Sequence, residues 1–257
     1  MMNHKRPLLR VEQIEKYYGN QGAVTKALDR VSFQVQTGEF ISVMGASGSG
    51  KTTLLNCIST IDSVSAGHIF LEDKDLTSIL EDELAVFRRD NLGFVFQDFN
   101  LLDNLTLEEN IALPLTLNRL PPQEIDACVR KIADTLQLGD ALKKFPYQVS
   151  GGQKQRCAFA RAVTGEPKLI MADEPTGSLD SNSARILLEI MSQLNRKLNA
   201  TIIMVTHDAF SASYAGRILF LKDGKIFNEI IKGEKTRSIF YHEILDVLSL
   251  LGGERPC

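Results

Sequence analysis

Three short segments concentrate the groups that could do chemistry. Gly45-Ala46-Ser47-Gly48-Ser49-Gly50-Lys51-Thr52, followed by Thr53, fits the pattern G-x-x-x-x-G-K-[ST]. Glycines at these places let the backbone curl, so that successive N–H groups and a helix N-terminus point at phosphate oxygens. Lys51 adds a mobile positive charge for the β- and γ-phosphates of ATP, and the Thr52 hydroxyl can ligate Mg²⁺. The second segment is the apolar run Leu169–Ala172, which ends in Asp173 and Glu174. Adjacent carboxylates closing a buried strand are costly unless they are paired or bound to a metal. Asp173 is therefore placed to hold Mg²⁺, and Glu174, which projects differently, to act as base toward a water attacking the γ-phosphate. The third segment, Val149-Ser150-Gly151-Gly152-Gln153, sets a hydroxyl and flexible amides just ahead of a helix, a second anion-binding turn. One nucleotide does not need two such cradles, so the second is expected to serve the ATP of a neighbouring copy.

These segments need a frame that ends strands beside helix starts. Alternation over Leu8–Ile14 and Val31–Val35 predicts strands, separated by a polar stretch that includes Gly19, Asn20 and Gly22. Phe40–Met44 reads as a compact apolar strand running into the phosphate loop, and Thr52–Ile61 as the helix behind it. Ile69–Leu71 and Phe94–Phe96 read as strands, with a helical piece over Leu84–Arg89 between them. Glu108–Leu117 and Gln123–Leu136 are helical patterns separated by the breaker Leu120-Pro121-Pro122, which suggests a helical insertion over about 98–160. The alternation then resumes with a helix after Ser150, strand Leu169–Ala172, helix Ser183–Leu198, and strands Thr201–Val205 and Ile218–Leu221. Strands alternating with helices imply an α/β fold with a mostly parallel sheet covered on both faces. A boundary is expected near 226/227. Beyond it, Phe240, Ile244, Val247, Leu248 and Leu251 fall on one face of an amphipathic helix, with Glu243 and Asp246 opposite.

Composition narrows the function classes. The 257 residues hold 29 Lys plus Arg against 32 Asp plus Glu, a net charge of −3. That balance argues against a nucleic-acid partner, which wants a basic face. No run of 18 or more apolar residues appears, so a role at a membrane requires a separate spanning subunit. Met1–Arg10 lacks an apolar stretch behind its charges and does not read as a signal peptide. Cys57, Cys128, Cys157 and Cys257 are far apart with no C-x-x-C pair, which suggests reduced cytosolic thiols rather than a zinc site.

The phosphate loop, Gln97, Val149–Gln153, Asp173-Glu174, Ser178-Leu179-Asp180 and His207 occur in the order found in ATP-binding-cassette (ABC) ATPases, which the chain resembles over about Leu9–Gly224. The resemblance implies a P-loop NTPase fold with a mostly parallel core sheet, an N-terminal antiparallel β subdomain and an inserted helical subdomain. Val149 stands where leucine is usual, a small change in bulk. By position, Tyr18 is similar to the aromatic that stacks on adenine, with adjacent Tyr17 its rival. Gln97 corresponds to a residue touching Mg²⁺ and the attacking water, and His207 to one touching the γ-phosphate. The resemblance also implies a head-to-tail dimer in which Ser150–Gln153 of one copy caps the ATP held by Lys51 of the other, with Asp180 at the seam. Gly45–Gly48, Gly93–Gln97 and Asn100-Leu101-Leu102 resemble the subgroup that drives lipoprotein-releasing and macrolide-type exporters, and within it Ala200–Asp208 and the tail through Ser238-Ile239-Phe240 are most similar to the bacitracin-type antimicrobial-peptide resistance transporters. That subgroup implies a peripheral ATPase on the cytoplasmic face of the membrane. It works with a multi-span permease, often joined by a sensor histidine kinase. The exposed apolar loop Phe99–Thr106 suits contact with such a permease.

Overall fold

A computed structural model describes residues 6–19 and 24–252. Two sheets organise the chain. An antiparallel sheet has the order β2-β1-β4-β5, built from β1 (Leu9–Tyr18), β2 (Thr25–Val35), β4 (Ala66–Leu71) and β5 (Lys74–Asp75). The larger sheet has the order β10-β9-β3-β8-β7-β6. Its strands β3 (Phe40–Met44), β6 (Leu92–Val95), β7 (Leu169–Asp173), β8 (Ile202–Thr206) and β9 (Arg217–Lys222) pair in parallel. β10 (Lys225–Ile231) closes one edge antiparallel to β9. Every residue of β3 and β8 is buried, the continuous apolar signature of strands covered on both faces.

Helices fill both sides of this sheet. α1 (Lys51–Ile58) leaves the phosphate loop, and α2 (Glu81–Asn91) leads into β6. α3 (Leu107–Leu117) and α4 (Pro122–Thr135) form the insertion, and α5 (Gly151–Thr164) and α6 (Ser181–Leu198) follow. α7 (Ala209–Ala212) is a single turn, and α8 (Arg237–Gly252) ends the described chain. One core joins the antiparallel sheet and α1 to one face of the large sheet, and a second joins α3–α6 to the other. A third places Phe240, Ile244 and Val247 of α8 on Met44, Ile218, Phe220 and the α7 alanines. The tail's apolar face therefore docks on its own chain, burying side chains worth roughly 1.5–3 kcal/mol each.

The sequence reading is displaced at several edges. α1 stops at Ile58, three residues early, because Thr60 adopts a left-handed φ of 59° and the chain folds back on Asn56. β2 starts at Thr25 rather than Val31. Its first half carries only Leu28 as a buried residue and so shows no alternation. The expected boundary at 226/227 falls inside β10, whose pairing with β9 carries the sheet to Ile231. Burial pushes the Cys57 and Cys157 thiols up to about 12, while Cys128 is exposed. Cys257, Asn20 and Gly22 lie outside the described residues.

Candidate functional site

The C-terminal ends of β3, β7 and β8 converge, and the loops leaving them build the site. The phosphate loop turns back at Gly48 and Gly50, with φ of 78° and 104°. A Cβ on Gly50 would lie 2.5 Å from the carbonyl oxygen of Ala27 on β2, so the turn excludes a side chain on two grounds. Lys51 is buried, and its Nζ donates to the carbonyls of Gly45 and Ala46 at 2.9 Å each. Burial pulls its pKa below the ordinary lysine range, while nearby Glu174 and Asp173 oppose that shift. Two of its three donors are used, which leaves one for an incoming phosphate.

Asp173 ends β7 with Oδ1 3.5 Å from the Thr52 hydroxyl. Burial and neighbouring Glu174 push the Asp173 carboxyl above its usual range, against the pull of Thr52 and Lys51. Glu174 follows with a left-handed φ of 46°, a conformation that costs a non-glycine residue of order 1–3 kcal/mol and aims its side chain off the strand line. Its Oε2 accepts from Thr206 Oγ1 at 3.1 Å, and its Oε1 lies 2.8 Å from His207 Nδ1. With Nδ1–H donating there, Nε2 remains available as an acceptor. Asp208 caps α7 through the N–H groups of Phe210 and Ser211 and so fixes the turn carrying His207.

A cleft of about 860 Å³ unites Tyr18, Ala46–Gly48, Gly50–Thr53, Glu174 and His207. Thr25, Lys26, Ala27, Asp223 and Gly224 line it as well and were not anticipated. The one readable signal was the Asp223-Gly224 turn between two apolar runs. The structure separates the two tyrosines. Tyr18 faces the cleft, its hydroxyl donating to Asp62 at 2.6 Å, whereas Tyr17 does not line it and donates to Glu15. Gly45 and Ser49 instead border a smaller cavity behind the loop, closed by Leu248 and Leu251 of α8.

Other expected residues lie outside the cleft. The Gln97 amide packs where a Cβ on Gly177 would meet it at 3.2 Å, and Gln97 O accepts from Ser178 Oγ. Ser150 caps α5 in a reciprocal pair with Gln153, its Oγ accepting from Gln153 N at 3.3 Å and Gln153 Oε1 from Ser150 N at 3.0 Å. Asp180 caps α6 through the N–H groups of Asn182 and Ser183, and the Ser183 hydroxyl first, together with these N–H bonds, holds its carboxyl below the usual range. A Cβ on Gly152 would stand 2.6 Å from Ser183 Oγ, so α5 packs closely on the Ser183 side chain of α6 just behind both caps.

The donor set fits Mg²⁺. Thr52 and Asp173 offer hard oxygens, and no cluster of three or more His, Cys, Asp or Glu exists among the described residues to hold an ion without phosphate. The loop, the buried lysine and the paired acids define a nucleoside triphosphate site of the P-loop type.

Comparison with known proteins carries this further. The family model described as "ABC transporter" matches residues 28–177. The chain is 48% identical to the bacitracin export ATP-binding protein BceA of Halalkalibacterium halodurans, over 96% of this chain and 97% of that one. It is 52% identical to the ABC transporter ATP-binding protein YxdL of Bacillus subtilis, over 96% and 95%. Among solved structures, the ATP-binding cassette MJ0796, dimeric and bound to ADP and Pi, superposes with a TM-score of 0.80. That match has 36% identity and covers 87% of this chain and 98% of that chain. The chain belongs to the ABC transporter family, as one of its ATPases.

Proposed function

We propose that this ATPase couples ATP binding, dimer closure and hydrolysis to a separate multi-span permease that confers resistance to antimicrobial peptides. The observation that carries this reading is the similarity along nearly the whole chain to a bacitracin export ATP-binding protein. In this reading two copies stack head to tail, and Ser150–Gln153 of one closes on the ATP held by Lys51 of the other. The placement of those residues outside the cleft supports that arrangement. No helix among the described residues is long and apolar enough to cross a membrane. In this reading the permease holds the chain peripherally on the cytoplasmic face. The permease brings a sensor histidine kinase with it. Deleting the coding sequence should sensitise cells to bacitracin-like peptides, and restoring it should reverse the effect. Unchanged sensitivity to peptides, with altered sensitivity to macrolides or lipoprotein release instead, would reassign the transporter.

Within the site, Lys51 and the loop amides hold the phosphates, Thr52, Asp173 and Gln97 hold Mg²⁺, Glu174 is the base, and His207 touches the γ-phosphate. Asp180 lies at the seam between copies. Mg²⁺ bound by these residues would supply positive charge to neutralise the phosphates. Tyr18 stacks on adenine. Tyr18→Ala should weaken ATP binding by about 1–3 kcal/mol, the usual worth of a base–aromatic stack. Tyr17→Ala should leave affinity unchanged in the same calorimetric titration, and the reverse pattern would exchange their roles.

A further inference from the structure

Gln155 is fully buried one turn into α5, among Cys157, Ala158, Phe159 and Ala160. An amide in such surroundings is costly unless hydrogen-bonded. Its Nε2 donates to two carbonyls, Phe96 O at 3.0 Å and Pro175 O at 2.8 Å. Phe96 immediately precedes Gln97, and Pro175 immediately follows Glu174. The ladder between β6 and β7 ends at Val95 and Ala172; β8 still holds Asp173 and the Glu174 N–H through Val205, but no strand pairing joins the Phe96 and Pro175 segments to each other. Gln155 ties them together where the strands stop doing so.

The same helix grips the segment further along. Arg161 donates to Asn100 O at 2.7 Å and Phe99 O at 3.3 Å, fixing two consecutive residues with left-handed φ of 61° and 48°. On its β6 side, α5 lies so close that a Cβ on Gly93 would stand 2.2 Å from Ala162 O. Such a helix moves with these segments or not at all. Its N-terminus carries Ser150–Gln153, the cradle assigned to the ATP of the second copy.

We propose that Gln155 is a positioning residue. It transmits engagement of Ser150–Gln153 by one ATP to Gln97 and Glu174 of the same chain, which serve the other ATP. The inference rests on the reading of Glu174 as base. Methionine matches glutamine in length and apolar stem but donates nothing. For Gln155→Met, kcat should fall about ten- to hundredfold, as for other small misplacements of a reacting group, while the Kd for ATP stays near wild type and the melting temperature falls modestly, because two carbonyls lose their donor. A merely structural role would instead weaken ATP binding in step with kcat, and that result overturns the proposal, as does turnover at the wild-type rate. If Gln155→Met fails to fold, Gln155→Asn keeps the amide but is one methylene too short to span both carbonyls. It should slow turnover without affecting ATP binding, and full speed again overturns the proposal. Glu174→Gln run in parallel separates the two ideas. A slow Glu174→Gln beside a fast Gln155→Met defeats only the linkage, whereas a fast Glu174→Gln defeats the base assignment beneath it.

Discussion

Glu174→Gln is expected to lower ATP turnover by about 10²- to 10⁴-fold, the usual worth of a positioned general base, while ATP still binds. The substitution keeps the shape of the side chain and an oxygen able to accept from Thr206 or His207, both of which hold the carboxylate in place. It removes the ability to take a proton from water. Lys51, the loop amides and Tyr18 are untouched, so nucleotide should enter and remain. The variant should therefore accumulate as an ATP-loaded dimer, seen as a doubled mass in light scattering with ATP and a single mass without it. Hydrolysis at the wild-type rate would remove Glu174 from the role of base and leave His207 as the group to test next.

Ser150→Arg should abolish hydrolysis and spare ATP binding by the isolated chain. Ser150 does not line the cleft around Lys51, so nothing in the single copy predicts a loss of activity. The substitution does remove a helix cap, worth about 0.5–2 kcal/mol. Against a domain stability of roughly 5–15 kcal/mol, that loss leaves the chain folded. A bulky cation in place of the hydroxyl would instead block the second copy from closing over the γ-phosphate. Calorimetry on Ser150→Arg should give a wild-type ATP affinity, with no phosphate release at any protein concentration. Normal turnover in this variant would mean that each copy hydrolyses ATP alone.

What could be read in the sequence divides along a physical line. Gly45–Thr52 and Val149–Gln153 each carry their backbone geometry and their chemistry in consecutive residues, so local reasoning located both. The strands β3, β7 and β8 are buried on both faces and advertise themselves as unbroken apolar runs. The first half of β2 does not, because only Leu28 in it is buried, yet it brings Lys26 and Ala27 to the cleft. β10 alternates half-buried with exposed positions as an edge strand, and its tail-ward half was read as part of the terminal segment. Gln155 was illegible for a different reason. A glutamine in a helix is unremarkable until two carbonyls from distant loops are found on either side of it. Tyr17 and Tyr18 are equivalent as letters, and only the register of β1 turns one toward the cleft.

Gly152 packs against the Ser183 side chain with no space for a Cβ, so the caps at Ser150 and Asp180 sit on closely packed helix starts. A shift of either helix start would therefore carry the other with it, so that the two caps respond to a push as a pair.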